Sequence, residues 1–330
     1  MVDWLTIQVP RIAEFDLPVG KLVKIEPNGD QLTLCDLGHK VPSFDTSCRV
    51  RPVGANIEIS GNPSKWLQGH NLFGSDDVQR TSLKFLGKIE EKLGRRMFPE
   101  NPMVYAQLHE IHLAQMVDLE SEKNKSDFLS QLGNLAKTRH KKQFQYSGQT
   151  VYFGKGVEKG SKNSRLYFWR IYDKYREVQA HKQKYLLDNW EIKSHVRAEV
   201  VLKRMWLMAN RYEYVKNWNP AVVQLIYTEM LGKINVAEGN LMESFIPPPG
   251  MTIDDKKLWY PWVAGEDLRT QFPIRTYYRH RQRLLEKYNV DINLPPYKSD
   301  NNILSFGWAK LRDQTAWMQK SNLKKYRKVA

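Results

Sequence analysis

Along His195–Arg204, Val196, Ala198, Val200 and Leu202 fall on one side of an extended chain, and His195, Arg197, Glu199 and Lys203 fall on the other. Side chains alternate across a strand but recur every 3.6 residues on a helix, so a period of two commits this stretch to β structure. It constrains the fold as well. A strand with one apolar and one charged face belongs in a sheet covered on one side, whose other side meets solvent or does chemistry.

The pattern recurs upstream. Leu5, Ile7 and Val9 alternate with polar positions, and Gly20–Gly38 reads as two strands joined at Asn28-Gly29, a hairpin turn signal. Arg49–Val53 and Ala55–Ser60 continue the alternation, and Asp76–Leu93 carries apolar residues near helical spacing. Further strands are expected at Ile111–Glu120, Gln149–Gly154 and Arg165–Lys174, with a helix over Lys125–Ala136. Interleaved strands and helices predict an α+β fold, with a mixed or antiparallel central sheet and flanking helices. At 330 residues the chain exceeds what one core usually serves. Pro247, Pro248, Pro249 and Gly250 rule out a continuous helix there. The expected division is a main domain of residues 1–245, a proline-rich linker of 246–262 and a small, basic, helical C-terminal module of 263–330.

Lys and Arg number 51 against 36 Asp and Glu, a formal charge of +15, which points to a polyanionic partner, nucleic acid first. There is no run of 18 apolar residues and no signal-peptide pattern, so a cytoplasmic protein without a membrane partner is expected. Two cysteines, Cys35 and Cys48, are too few for a disulfide framework or a cysteine zinc site.

Three expected strands put ionisable side chains on one face: His112, Asp118 and Glu120; Arg170, Tyr172 and Lys174; Arg197 and Glu199. If these strands are neighbours, the groups form one site. Carboxylates suit a hard divalent cation, Mg2+ or Mn2+, that offsets charge building on a phosphodiester, while lysine and arginine hold flanking phosphates. The ordinary alternative is a half-solvated face with cross-strand ion pairs, and the pattern alone does not choose. If the strand from Leu166 continues through Lys174, then Arg170, Tyr172 and Lys174 share a face, while Tyr167, Trp169, Ile171 and Tyr175 share the core face. Tyr172 is then the expected nucleophile, with Lys174 stabilising its phenolate and Tyr175 as the competitor.

The segment NPSKWLQGHNLFG, Asn62–Gly74, closely resembles part of the gene II replication proteins of filamentous phages and of the related replication protein of the cholera-toxin phage. MVD at Met116–Asp118, RIYDK at Arg170–Lys174, VRAEVVLKR at Val196–Arg204 and RTYYRHRQRLLEKYNVDI at Arg275–Ile292 match in the same order. The resemblance implies a site-specific endonuclease and joining enzyme that nicks one strand at a phage origin and leaves a 3′-hydroxyl for rolling-circle synthesis. Implied partners are double- and single-stranded origin DNA and the host helicase and polymerase, with more than one copy on DNA allowed. The family is grouped with tyrosine nucleases that hold a metal through a His-hydrophobe-His motif, which this chain lacks: His109 and His112 are three apart and would face opposite sides of a strand. The expected metal ligands are therefore Asp118 and Glu199, with His70 as a third, and Arg197 as a catalytic arginine beside them. Lys65, Gln68 and Asn71, around His70, are candidate contacts to phosphates or base edges, as is Arg170.

In the C-terminal module Arg275, Arg279 and Arg283 recur every four residues and form a basic stripe suited to lying along DNA, with Leu284, Leu285 and Tyr288 inward. Two other readings stay open: a DNA-binding regulator without nuclease activity, and a plasmid-type rolling-circle initiator, which YFGKG followed by RLYFWRIYDK also resembles.

Overall fold

The computed structural model describes residues 1–12, 20–138, 143–146, 150–154, 166–181, 183–236, 241–242, 246–288, 290–293, 297–298 and 303–312. Its first eleven strands are β1 (Val2–Pro10), β2 (Gly20–Ile25), β3 (Gln31–Ser43), β4 (Thr46–Val53), β5 (Asn56–Gly61), β6 (Gln107–Asp118), β7 (Ala136–Thr138), β8 (Gln143–Tyr146), β9 (Thr150–Phe153), β10 (Tyr167–Asp173) and β11 (His195–Lys203). Among the described residues, ten of them form one sheet in the order β2-β3-β4-β5-β1-β6-β11-β10-β9-β8, antiparallel at every pairing. The remaining strand, β7, pairs separately with a short strand at Ile234–Val236. The fold is thus α+β, as the interleaved pattern predicts.

The helices are α1 (Pro63–Gln68), α2 (Val78–Leu93), α3 (Pro102–Tyr105), α4 (Glu122–Leu135), α5 (Lys174–Ala180), α6 (Lys184–Asn189), α7 (Arg204–Ala209), α8 (Pro220–Gly232), α9 (Ile253–Val263), α10 (Ile274–Tyr288) and α11 (Ile303–Arg312). One face of the sheet presents Leu5, Ile7, Val9, Ile59, Leu113, Val200, Leu202, Trp169 and Ile171, all buried, to Phe85, Leu86 and Ile89 of α2, Phe128 and Leu132 of α4 and Ile226 of α8. The opposite face is only partly covered. A small cluster of Leu72, Phe73, Met116, Val178, Leu186 and Ile192 roofs its lower end, and the rest carries the polar and charged side chains.

Two bulges where β1 meets β6 set which residues reach that second face. Val2 pairs with Leu113 and Trp4 with His112, so Asp3 is an extra residue turned out of the alternation. Further along, Thr6 pairs with Glu110 and Ile7 with Leu108, which makes His109 extra on β6. His109 reaches Glu58 with its Nδ1 at 3.5 Å, on the same side as Glu110 and His112. The simple alternation that would send His109 and His112 to opposite faces is undone by this bulge.

The C-terminal region is organised differently from the expected linker and module. Thr252 caps α9 inside the stretch read as linker, its hydroxyl accepting from Asp255 N, so the prolines break the chain only before residue 252. Leu258, Trp259 and Trp262 of α9 form a second core with Leu268, Tyr277, Leu284, Val290 and Ile292. Leu284 is buried, but Leu285 is 40% exposed and does not turn inward. The last described helix, α11, leaves this core and packs Ile303, Trp308 and Leu311 into the main one. It sits so close to α4 that a Cβ at Gly307 would lie 2.5 Å from a Phe128 ring carbon.

Candidate active site

The segment Asn62–Gly74 folds over the start of β1. Asn62 caps α1 by accepting from Lys65 N at 2.8 Å, Pro63 takes the first helical position, and Gly69 ends the helix at φ 85°, a left-handed conformation that favours glycine. The turn that follows brings Asn71 back beside Asn62. Both side-chain amides donate to Asp3 Oδ1, at 2.8 Å from Asn62 and 2.9 Å from Asn71.

Arg197 Nη2 reaches the same oxygen at 2.6 Å. That guanidinium is fully buried and committed to this scaffold: Nε donates to Glu199 Oε1 at 3.0 Å and Nη1 to the Asn71 carbonyl. Arg197 therefore holds Asp3 and Glu199 rather than a flanking phosphate. Register explains the neighbours, because Tyr172 pairs with Arg197 and Arg170 with Glu199. Tyr172 Oη donates to Glu199 Oε1 at 2.6 Å, and Arg170 Nε donates to the other carboxylate oxygen. Arg170 keeps a third of its side chain exposed, so it is the arginine of this group that meets solvent.

His112 completes the cluster. A ring nitrogen of His112 and carboxylate oxygens of Asp3 and Glu199 all lie within 4.8 Å of one another. Nε2 of His112 is 2.7 Å from Glu110 Oε1, while Nδ1 is buried and has no hydrogen-bond partner among the described residues.

Burial and charge set the protonation states. Burial pushes Asp3 upward, but the charges of Arg197, Lys174 and Arg170 and the Asn71 hydrogen bond outweigh it, and the carboxyl sits below the usual range. Burial, reinforced by the charge of Glu199, holds the Tyr172 phenol well above its ordinary value. Burial and then Arg197 lower the ammonium of Lys174.

Lys174 is not on the strand. Asp173 caps α5 by accepting from Arg176 N, which makes Lys174 the first helical residue. Its Nζ, fully buried, bonds Asn71 Oδ1 at 3.0 Å and Glu177 Oε2 at 2.6 Å. It belongs to the site but bonds the loop, not the phenol. Tyr175 lies on the outer cluster with Leu72 and Val178, under Lys125 Nζ at 5.5 Å from its ring centre, apart from Glu199.

Asp118 and Glu199 do not come together. Glu199 pairs with Ala114 and Asp118 with His195, four residues further along β6, a separation of about 13 Å. Asp118 instead accepts from Ser194 Oγ at 2.5 Å and from Glu120 N at 2.8 Å. His70 stays outside the cluster, its ring 6.2 Å from that of Trp190, with burial lowering its pKa. Gln68 is occupied in closing its own loop, donating to the Phe73 carbonyl at 2.7 Å and the His70 carbonyl at 3.2 Å, and Asn71 is committed to Asp3. Lys65 keeps a partly exposed side chain beside Asp45 at 3.5 Å. Asp3 and His112 are the members of this cluster that the sequence does not mark as metal ligands, although alternation places His112 on the site's face. The trace of Asp3 is a charged residue at the parity of Leu5 and Ile7, where an apolar one belongs.

In the second core Arg283 Nη2 pairs with buried Asp255 at 2.7 Å, and Arg281 grips Asp291 through two nitrogens at 2.5 and 2.7 Å. Arg275 and Arg279 are exposed, so the stripe of three reduces to two. The sequence adds a further basic run to this module, Lys324–Lys328, which lies outside the described residues. If the stripe binds DNA, Arg275→Ala with Arg279→Ala weakens binding and lowers the slope of log affinity against log salt by about two. Arg283→Ala mainly destabilises this core. Titrations at several salt concentrations beside thermal melts separate the two effects; an unchanged salt slope in the double variant removes α10 from the DNA contact.

Among the described residues no helix is long and apolar enough to cross a membrane. Residues 1–221 match the family described as the N-terminal region of the phage gene II replication-associated protein. The chain is 26% identical over 326 residues to the replication-associated protein of that type from Enterobacteria phage I2-2, covering 92% of this chain and 90% of that protein.

Proposed function

The chain belongs to the family of phage gene II replication-associated proteins, and from that premise we propose that it nicks and rejoins one DNA strand at a phage origin through Tyr172. The observation that carries this reading is the convergence of four strands, β1, β6, β10 and β11, on one point: the Tyr172 hydroxyl lies 2.6 Å from a carboxylate, Glu199, that also belongs to the cluster with Asp3 and His112.

The residues fit a divalent cation. One histidine and two carboxylates form a donor set for a borderline or hard metal, and the buried Nδ1 of His112 awaits a partner. Bound there, Mg2+ or Mn2+ would supply positive charge at a phosphate oxygen and favour the ionised phenol.

The chain's own groups do the rest. Tyr172 Oη attacks phosphorus, its proton passing to the carboxylate oxygen of Glu199 that it already touches. The bond from phosphorus to the 3′ oxygen breaks, and that oxygen leaves as a hydroxyl after taking a proton from solvent. The 5′ phosphate stays on tyrosine, and attack by a 3′-hydroxyl reverses the sequence and rejoins the strand. Arg170, facing solvent beside the phenol, is the group positioned to hold a phosphate.

The test is incubation with supercoiled plasmid bearing the origin. With Mg2+ or Mn2+ the expected products are nicked circles; chelator abolishes them and leaves the mobility shift of bound DNA. A shift without nicking under every metal condition means a DNA-binding regulator instead.

A further inference from the structure

Glu110 lies outside the metal cluster and touches no proposed substrate, yet it is tied to the cluster by a short chain of contacts. Its Oε1 is 2.7 Å from His112 Nε2 and 2.6 Å from Lys203 Nζ. The arrangement is built into the sheet, because Lys203 pairs with Glu110 and Val201 with His112, and Glu110 and His112, two apart on a regular stretch of β6, share a face. Trp4 closes the remaining side, its ring 6.0 Å from the imidazole and inclined at 28°.

We infer that Glu110 is a positioning residue for the metal: by accepting a hydrogen bond from Nε2–H it fixes His112 in the tautomer whose Nδ1 carries the lone pair, and aims that nitrogen at Asp3 and Glu199. Carboxylates in this place orient metal-bound histidines and raise their basicity. Lys203 holds the carboxylate in turn, so that the order of contact is Lys203, Glu110, His112, ion. A plain cross-strand ion pair between Lys203 and Glu110 would account for the first of these contacts but not for a buried imidazole with one nitrogen occupied and the other open. The inference rests on Asp3, His112 and Glu199 being the metal site.

The experiment is titration of the full chain with Mn2+, followed by calorimetry or by the loss of the free-ion electron paramagnetic resonance signal. Glu110→Ala is expected to weaken Mn2+ binding about 10- to 100-fold. Glu110→Gln, which keeps an acceptor for Nε2–H, recovers part of that loss. In the nicking assay the Mn2+ concentration for half-maximal rate rises in Glu110→Ala while the rate at saturating Mn2+ stays near that of the parent. His112→Ala must lose Mn2+ at least as severely. Parent-like Mn2+ affinity in both Glu110 variants, with His112→Ala impaired, overturns the positioning role and leaves the metal site standing. Parent-like affinity in His112→Ala overturns both.

Discussion

Arg197→Met is expected to cost about 3–5 kcal/mol of folding stability at neutral pH, because it strips two buried carboxylates of the cation they share. Arg197 and Glu199 are fully buried, Asp3 nearly so, and one guanidinium bonds both carboxylates as well as the Asn71 carbonyl. The pH dependence should invert. In the parent, Asp3 is held below its ordinary value, so its contribution is present above the unfolded carboxylate range and is lost as pH falls through the folded value. Without Arg197 the burial that pushes Asp3 upward is no longer outweighed by its main opposing charge. The folded pKa then rises above the unfolded one, and acid favours the variant's folded state. Urea unfolding at pH 7.5 and pH 5 checks this, with the deficit smaller at the lower pH. A deficit under about 1 kcal/mol at both values would mean that the clamp carries no stability.

Tyr172→Phe has the opposite profile: a small cost in stability and a total loss of covalent chemistry. Removing the hydroxyl deletes one hydrogen bond to Glu199, about 1 kcal/mol, and Glu199 keeps Arg170 and Arg197. The phenol is buried and holds its proton firmly, a state that also suits a tyrosine whose task is to orient Glu199. The two roles diverge on one readout. A nucleophile leaves no protein–DNA adduct when it is replaced by phenylalanine, whereas an orienting tyrosine leaves a slower enzyme that still forms the adduct. Trapping a labelled origin oligonucleotide on Tyr172→Phe and on Tyr175→Phe is expected to give no adduct in the first and a parent-like yield in the second.

How much of this was legible in the sequence depends on what alternation can encode. The period of two along His195–Lys203 fixed its two faces correctly, and the same holds for Arg170 and Tyr172 on the neighbouring strand. Alternation assigns a face but not a position along the partner. Asp118 does share the face of His112, yet lies at the far end of β6, beyond reach of Glu199. Asp3 was hidden by a bulge, where one extra residue reverses the parity that sequence reading assumes. The same device on β6 turned His109 to the face from which simple counting excludes it. Lys174 was misplaced because Asp173 stops the strand by capping a helix, a signal that competed with the Arg-x-Tyr-x-Lys spacing. The Asn62–Gly74 segment stands out in the sequence for its family resemblance, with Lys65, Gln68 and Asn71 expected at DNA, whereas in the fold the amides of Asn62 and Asn71 hold Asp3.

The central claim, that Tyr172 is the group joined to DNA, is tested most directly on the parent protein. Trypsin cuts after Arg170 and Lys174, so Tyr172 falls in Ile171–Lys174 and Tyr175 in the next peptide. Mass spectrometry of the trapped adduct after nuclease and trypsin digestion should find the 5′-phosphonucleotide on Ile171–Lys174. Finding it on the peptide with Tyr175, or on any other tyrosine, would contradict the account.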